Sequence, residues 1–288
     1  MNAFSRSWMI TKLTFGVINK DRELIGFAFL SFVFSTIFSI AMIFPSVLPT
    51  LMDNGFDKES LEVYQYAILF LTYFGLAFIA TFFNVCVVYT TKVRFEGGNA
   101  TFGDSIGFAF SRLWIIIQWS LLSATVGLIL RILHNLASRL GKIGEIVAKI
   151  VISLLGAAWS IMTIFVVPAL VYEGLGPVDS IKKSVAVLKR TWGESLVRAI
   201  GLGLIQLLVF AVIIAVSGAV SYGLFMALDV VGMVIGICIG LALLLFSGLI
   251  FAVANTVYST ALYVYANNQT VASGFSEDVV KGAFKQKD

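Results

Sequence analysis

The sequence predicts an all-α fold: a polytopic membrane helical bundle of six transmembrane helices, arranged as three pseudo-repeats of an interfacial amphipathic helix plus two spans. Composition is the first observation behind this. Of 288 residues, 59% are hydrophobic and 12% charged, against roughly 25% charged in ordinary soluble domains, so the chain cannot cover an apolar core with water-facing groups. Six long apolar runs are the second, near residues 24–48, 67–89, 114–133, 150–172, 199–224 and 230–258. Each approaches or exceeds the roughly 20 helical residues that cross a hydrocarbon layer. The third is similar basic text after the second and fourth runs.

The opening 23 residues contain Ser5-Arg6-Ser7-Trp8, with Phe4, Trp8, Phe15 and Ile18 on one helical side. They predict the first interfacial helix. The run after them has no small-residue cleavage site behind it and is expected to remain as an uncleaved span. An acidic external loop follows, with Asp53, Asp57, Glu59 and Glu62 against Lys58.

The second run ends in Phe95-Glu96-Gly97, then Asp104-Ser105-Ile106 and Arg112-Leu113-Trp114; the fourth ends in Tyr172-Glu173-Gly174, then Asp179-Ser180-Ile181 and Arg190-Thr191-Trp192. Order and chemistry match, which is the signature of an internal repeat. Units of about 1–93, 94–173 and 174–266 follow from it, within a single membrane domain over 1–266. Residues 267–288 make a short tail, amphipathic from Phe275 to Phe284.

Thr101 and Asp104 have the spacing of a capping box, and Pro177 with Asp179 suits a helix start. Val178, Ile181, Val185, Leu188 and Trp192 step by three and four residues, with Lys182, Lys183, Lys189 and Arg190 on other faces. That is a basic amphipathic helix tipped by tryptophan. Trp8, Trp114 and Trp192 are the expected interfacial anchors, and the four cations are the expected contacts to anionic lipid head groups.

With the N-terminus inside, 15 of the 20 Lys and Arg residues fall on the cytoplasmic side. This bias predicts cytoplasmic N- and C-termini in a plasma (inner) membrane. One external stretch runs against it, holding Arg131, Arg139, Lys142 and Lys149 among Ile129, Leu133, Leu136, Leu140, Ile143 and Val147 at helical spacing. It is expected to lie as an amphipathic extension on the outer leaflet.

Little in the sequence carries reaction chemistry. His134 is the lone histidine, and there is no Walker A, G-x-G-x-x-G or G-x-S-x-G pattern. No cofactor, no metal and no enzymatic activity is expected. A charge of +4 spread between apolar runs gives no nucleic-acid footprint, and Cys86 and Cys238, both in apolar runs, imply no disulfide framework. Asn84, Gln206 and Asn255 are amides within apolar runs, where hydrogen bonding between helices is the ordinary role. Pro168 is expected to kink the fourth span. Gly232, Gly236 and Gly240 predict close packing of the sixth span, on the Ala211, Ala215, Ala219 and Gly223 stripe of the fifth or across a homo-oligomer. Glu96, Glu173 and Asn267 occupy related places at the cytoplasmic mouths and form a candidate polar site, each with a local ion pair or cap as its ordinary alternative.

The phrases LLSATVGLILR at 121–131, LLGAAWS at 154–160, FVVPALVYEGLGPV at 165–178 and KRTWGE at 189–194 resemble an uncharacterised family of bacterial and archaeal integral membrane proteins. That family is distantly similar to the membrane region found beside some glycerophosphodiester phosphodiesterases. The resemblance implies a membrane module and carries over no active-site residue. Three functions are therefore open: a non-enzymatic module that engages anionic lipids or recruits a membrane partner; a transporter or pore for a neutral or lipid-like solute; and an enzyme acting on lipid head groups through Glu96 and Glu173.

Overall fold

The computed structural model describes residues 3–51, 58–192 and 201–268. The regular structure of these residues is helical: α1 Ala3–Lys20, α2 Glu23–Leu51, α3 Lys58–Phe95, α4 Phe102–Ser111, α5 Leu113–Ala137, α6 Lys142–Met162, α7 Val166–Glu173, α8 Pro177–Trp192 and α9 Gly201–Asn268. Among the described residues, five stretches are long and apolar enough to cross a membrane: Glu23–Val47, Val63–Phe95, Leu113–Ala137, Lys142–Glu173 and Ile205–Asn267. The acidic residues Asp53 and Asp57 and the amphipathic tail from Phe275 to Phe284 lie outside the described residues.

The chain divides into two compact units, one built from residues 1–28, 90–100 and 190–288 and the other from 29–89 and 101–189. In the first, α1 packs along the distal part of α9. Val17, Ile18, Leu24 and Phe27 are buried, as are Val253, Ala254, Val257, Ala261 and Tyr263, and Phe15 meets the Phe251 ring edge-on at 6.0 Å. Of the face that the sequence assigns to the first amphipathic helix, Ile18 is buried and Phe15 half-buried, while Trp8 is 58% exposed and the Phe4 side chain lies outside the described residues.

The longest helix is two helices. At Asp229 the backbone takes φ 53° and ψ −143°, a combination that L side chains rarely adopt and that breaks the helical ladder. The limbs 201–228 and 230–268 then fold back on each other. Gly232, Gly236 and Gly240 are buried; a Cβ on Gly236 would stand 2.5 Å from the Ser221 Cα, and one on Gly240 would stand 2.6 Å from the Ser217 Cβ. The glycine stripe faces the other limb at close approach. Its partner stripe is Ser217, Ser221 and Leu224, not Ala211, Ala215, Ala219 and Gly223, which are exposed. Both stripes step at helical spacing, by four residues or by four and three, so spacing alone does not choose between them. The Ser221 hydroxyl donates to the Ser217 carbonyl at 2.7 Å, which keeps the serine face small and its polar atom satisfied.

In the second unit α5 and α6 form a hairpin, with Trp119 and Trp159 stacked at 6.0 Å between centroids. Residues 131–149 do not form a separate helix. They are the end of α5, a turn at 138–141 and the start of α6, with Lys149 paired to Glu145 at 2.6 Å. Apolar spacing there reflects spans that continue to the turn, since Leu136, Leu140 and Ile143 remain exposed.

Pro168 acts as expected, but its break lies upstream. The proline is the third residue of α7, and the helix is interrupted at 163–165, between α6 and α7. A proline lacks the N–H that would reach the carbonyl four residues back, and its ring crowds that carbonyl. Of the amides within apolar runs, Asn84 carries a buried Oδ1 with no hydrogen-bond partner among the described residues, Gln206 is half-buried and Asn255 is exposed. Hydroxyls instead bond back to their own helices, as Ser120 does to Ile116 and Thr72 to Ile68.

Candidate functional site

In the second unit, α7 ends at Gly174, whose φ of 65° is left-handed, where glycine carries no Cβ penalty. Pro177 then starts α8 with Asp179 in its first turn, a favourable place for a carboxylate. The helix buries Ser180, Ser184, Val187 and Leu188. Ser184 Oγ accepts a hydrogen bond from the Phe165 N–H at 3.2 Å, inside the break between α6 and α7. The amphipathic helix is therefore bolted to the interruption in the span before it.

This changes the reading of its faces. Among the described side chains of the predicted apolar face Leu188 is buried, while Val178 is 57% exposed and Ile181 and Val185 are half-buried. Small serines approach the neighbouring helix more closely than branched side chains can, so they take the packed side. Val178 is left exposed and Val185 partly so, next to the exposed Lys182 and Lys189.

The predicted cations divide accordingly. Lys182 pairs with Asp179 at 3.0 Å, largely in the open, and Lys183 with Glu173 at 2.8 Å. Lys189 is exposed. The Arg190 and Trp192 side chains lie outside the described residues. Trp114 is 69% exposed at the start of α5.

Phe95-Glu96-Gly97 and Tyr172-Glu173-Gly174 share geometry as well as text, because Gly97 and Gly174 both take positive φ, at 86° and 65°. Glu96 is exposed and Asn267 is half-buried with partners of its own. Glu173 is held by Lys183, which is the local ion-pair alternative. The Arg-x-Trp phrases are less uniform: Arg112 and Trp114 stand at the end of α4 and the start of α5, and α8 ends at Trp192, but Ser5-Arg6-Ser7-Trp8 stands at the beginning of α1.

The predicted capping box forms. Asp104 N–H donates to Thr101 Oγ1 at 3.2 Å, while the Thr101 N–H and hydroxyl donate to the Asp104 carboxylate at 2.9 and 2.7 Å. Those bonds favour the ionised form and hold the Asp104 carboxyl below its usual value. A depressed folded-state pKa gives stability that is present above the unfolded value and lost as pH falls through the folded one. Amide exchange in the first turn of α4, corrected for intrinsic rates, is expected to quicken as pH drops below about 4. In Asp104→Asn that step disappears; a first turn equally protected across the window in both proteins would contradict the box.

One polar contact was invisible to sequence reasoning. Asp21, between α1 and α2, is only 1% exposed and accepts a fork of two bonds from Arg94, at 2.6 Å from Nε and 2.5 Å from the terminal nitrogen. That terminal nitrogen also donates to Asn99 at 2.5 Å. The partners are 73 residues apart, so no local spacing announces them. The only hint was an aspartate between two basic residues at the foot of the first span.

The pattern of a family of unknown function, DUF6159, matches residues 63–275. The chain belongs to that family. The match runs from within α3 through α9 and includes the four phrases by which the sequence resembles an uncharacterised family. It lends nothing to the similarity with phosphodiesterase-associated membrane regions. No curated protein matches the chain.

Proposed function

We propose that this protein is a non-enzymatic plasma-membrane module that crosses the bilayer six times, keeps both termini in the cytoplasm and engages anionic lipids of the inner leaflet. Five long apolar stretches support the membrane setting. The reversal at Asp229 supports counting the fifth as two crossings, and the bias of 15 of 20 basic residues supports the orientation. The paired left-handed glycines support the repeat for its second and third units.

The observation that carries the lipid reading is the two-sided α8. Ser180 and Ser184 pack inward, while Val178 is exposed and Val185 half-buried, beside the exposed Lys182 and Lys189. An apolar strip bordered by lysines is the form in which a helix lies at a leaflet surface, stems in the acyl region and ammonium groups at phosphate level. Trp8 and Trp114 supply exposed rings for the same boundary.

The test is retention of phosphatidylglycerol against phosphatidylcholine by the purified protein, read by native mass spectrometry. Lys182→Gln with Lys189→Gln is expected to lower retention of the anionic lipid about thirtyfold, at roughly 1 kcal/mol for each of the two basic residues near a charged surface. Unchanged preference in the double variant would sink the lipid reading.

A second reading, a carrier for a lipid-like solute, has one observation in its favour. Between the limbs of α9 an open groove of about 530 Å³ is walled by Ile214, Tyr222, Phe225, Met233, Ile237 and Leu244. Its walls are apolar and its size suits a hydrocarbon chain. Transfer of labelled lipid between leaflets of proteoliposomes separates this reading from a stationary module.

A further inference from the structure

We propose that Arg112 is a preformed binding site for the phosphate of an anionic membrane lipid. The inference deepens the lipid reading and rests on it for the membrane depth of the junction between α4 and α5. Arg94, Lys149, Lys182 and Lys183 all have carboxylate partners. Arg112 has none among the described residues. Its guanidinium is nevertheless held in place, lying 5.6 Å from the centroid of the Phe108 ring, which is itself stacked on Tyr89 at 4.3 Å.

A guanidinium resting on an aromatic face keeps its N–H donors in the plane of the fork, free for another acceptor. That fork matches phosphate or carboxylate oxygens two at a time. The nearest backbone leaves room for it. A Cβ at Gly174 would come within 3.0 Å of one Arg112 terminal nitrogen, so the left-handed glycine that ends α7 also makes space for the cation. The adjacent Glu173 is engaged by Lys183 at 2.8 Å, and Asp104 by Thr101.

The surroundings select a lipid over a free anion. Arg112 immediately precedes the apolar stretch Leu113–Ala137, which places it at the edge of the hydrocarbon layer. Phe110 and Trp114, two residues to either side, are 60% and 69% exposed, and exposed rings at that level sit among head groups and upper acyl carbons. A phosphate here gains a bidentate cation while its tails meet aromatic surface. A free phosphate gains only the cation.

The experiment compares the full-length protein in phosphatidylcholine nanodiscs containing a graded fraction of phosphatidylglycerol, with bound anionic lipid counted by native mass spectrometry. Arg112→Gln is expected to reduce retained phosphatidylglycerol about tenfold, the scale of one lost charged hydrogen-bond pair. Arg112→Lys, which keeps charge without the fork, is expected to fall between. Phe108→Leu keeps the arginine but removes its platform, and is expected to lose retention in part; it serves if Arg112→Gln does not fold. In a second arm, inorganic phosphate at millimolar concentration is expected to leave the thermal stability of the detergent-solubilised protein unchanged. Retention unaffected by Arg112→Gln and Phe108→Leu overturns the site. So does stabilisation by inorganic phosphate together with indifference to the anionic lipid. If Lys182→Gln with Lys189→Gln lowers retention and the Arg112 variants do not, the site fails while the broader lipid reading stands; if none of them does, both fail.

Discussion

Gly236→Ala is expected to destabilise the protein by about 1–3 kcal/mol, the ordinary range for forcing an extra carbon into a filled contact. The new Cβ would stand 2.5 Å from the Ser221 Cα, and a backbone atom cannot turn aside as a flexible side chain can. Gly232→Ala meets the Leu224 carbonyl and belongs in the same class. Gly240→Ala meets the side chain of Ser217, which has some room to rotate, so its loss should be smaller. Gly218 and Gly223, on the other limb, have nothing within 4 Å of an added Cβ. Gly218→Ala and Gly223→Ala are therefore expected to leave thermal stability in detergent unchanged. Equal melting temperatures for Gly236→Ala and Gly218→Ala would show that the limbs do not meet through the glycine stripe.

Asp21→Leu is expected to cost about 3–5 kcal/mol, because it leaves the Arg94 guanidinium beside a pocket built for a carboxylate. Asn99 retains one bond to that arginine, which places the loss toward the lower end. Removing both charges in Asp21→Leu with Arg94→Leu should cost less than the sum of the single changes, since no uncompensated charge remains. A melting curve for each of the three variants measures the coupling. Strict additivity would mean that the fork between Asp21 and Arg94 does not form in the protein as it folds.

The two contacts differ in how visible they were. Glycines at four-residue steps within one apolar run are legible because the helical period puts them on one side by geometry alone. Which stripe of the facing helix they meet is not, since it depends on where the chain reverses. Asp229 fixes that register by taking an unusual backbone conformation, and neither composition nor periodicity marks an aspartate for it. The pairing of Asp21 with Arg94 depends on tertiary packing across 73 residues.

The amphipathic helix α8 shows the same limit in another form. Its start and its charges follow from Pro177, Asp179 and the lysines, and the structure agrees. The burial of Ser180 and Ser184 does not follow from hydrophobic spacing, because close helix contact rewards small size over apolarity. Arg112 escaped notice for a related reason. In sequence it is one basic residue in a repeated phrase, and only the fold shows it against Phe108 and Gly174, with no carboxylate partner among the described residues.

Labelling of single cysteines from each side of the membrane tests the six-crossing, lipid-facing arrangement most directly, in a background with Cys86 and Cys238 replaced. Asp229→Cys is expected to react with an impermeant thiol reagent only from outside, and Lys189→Cys only from the cytoplasmic face. Reaction of both positions from the same side would mean that the limbs of α9 do not each cross the bilayer, and would contradict the account.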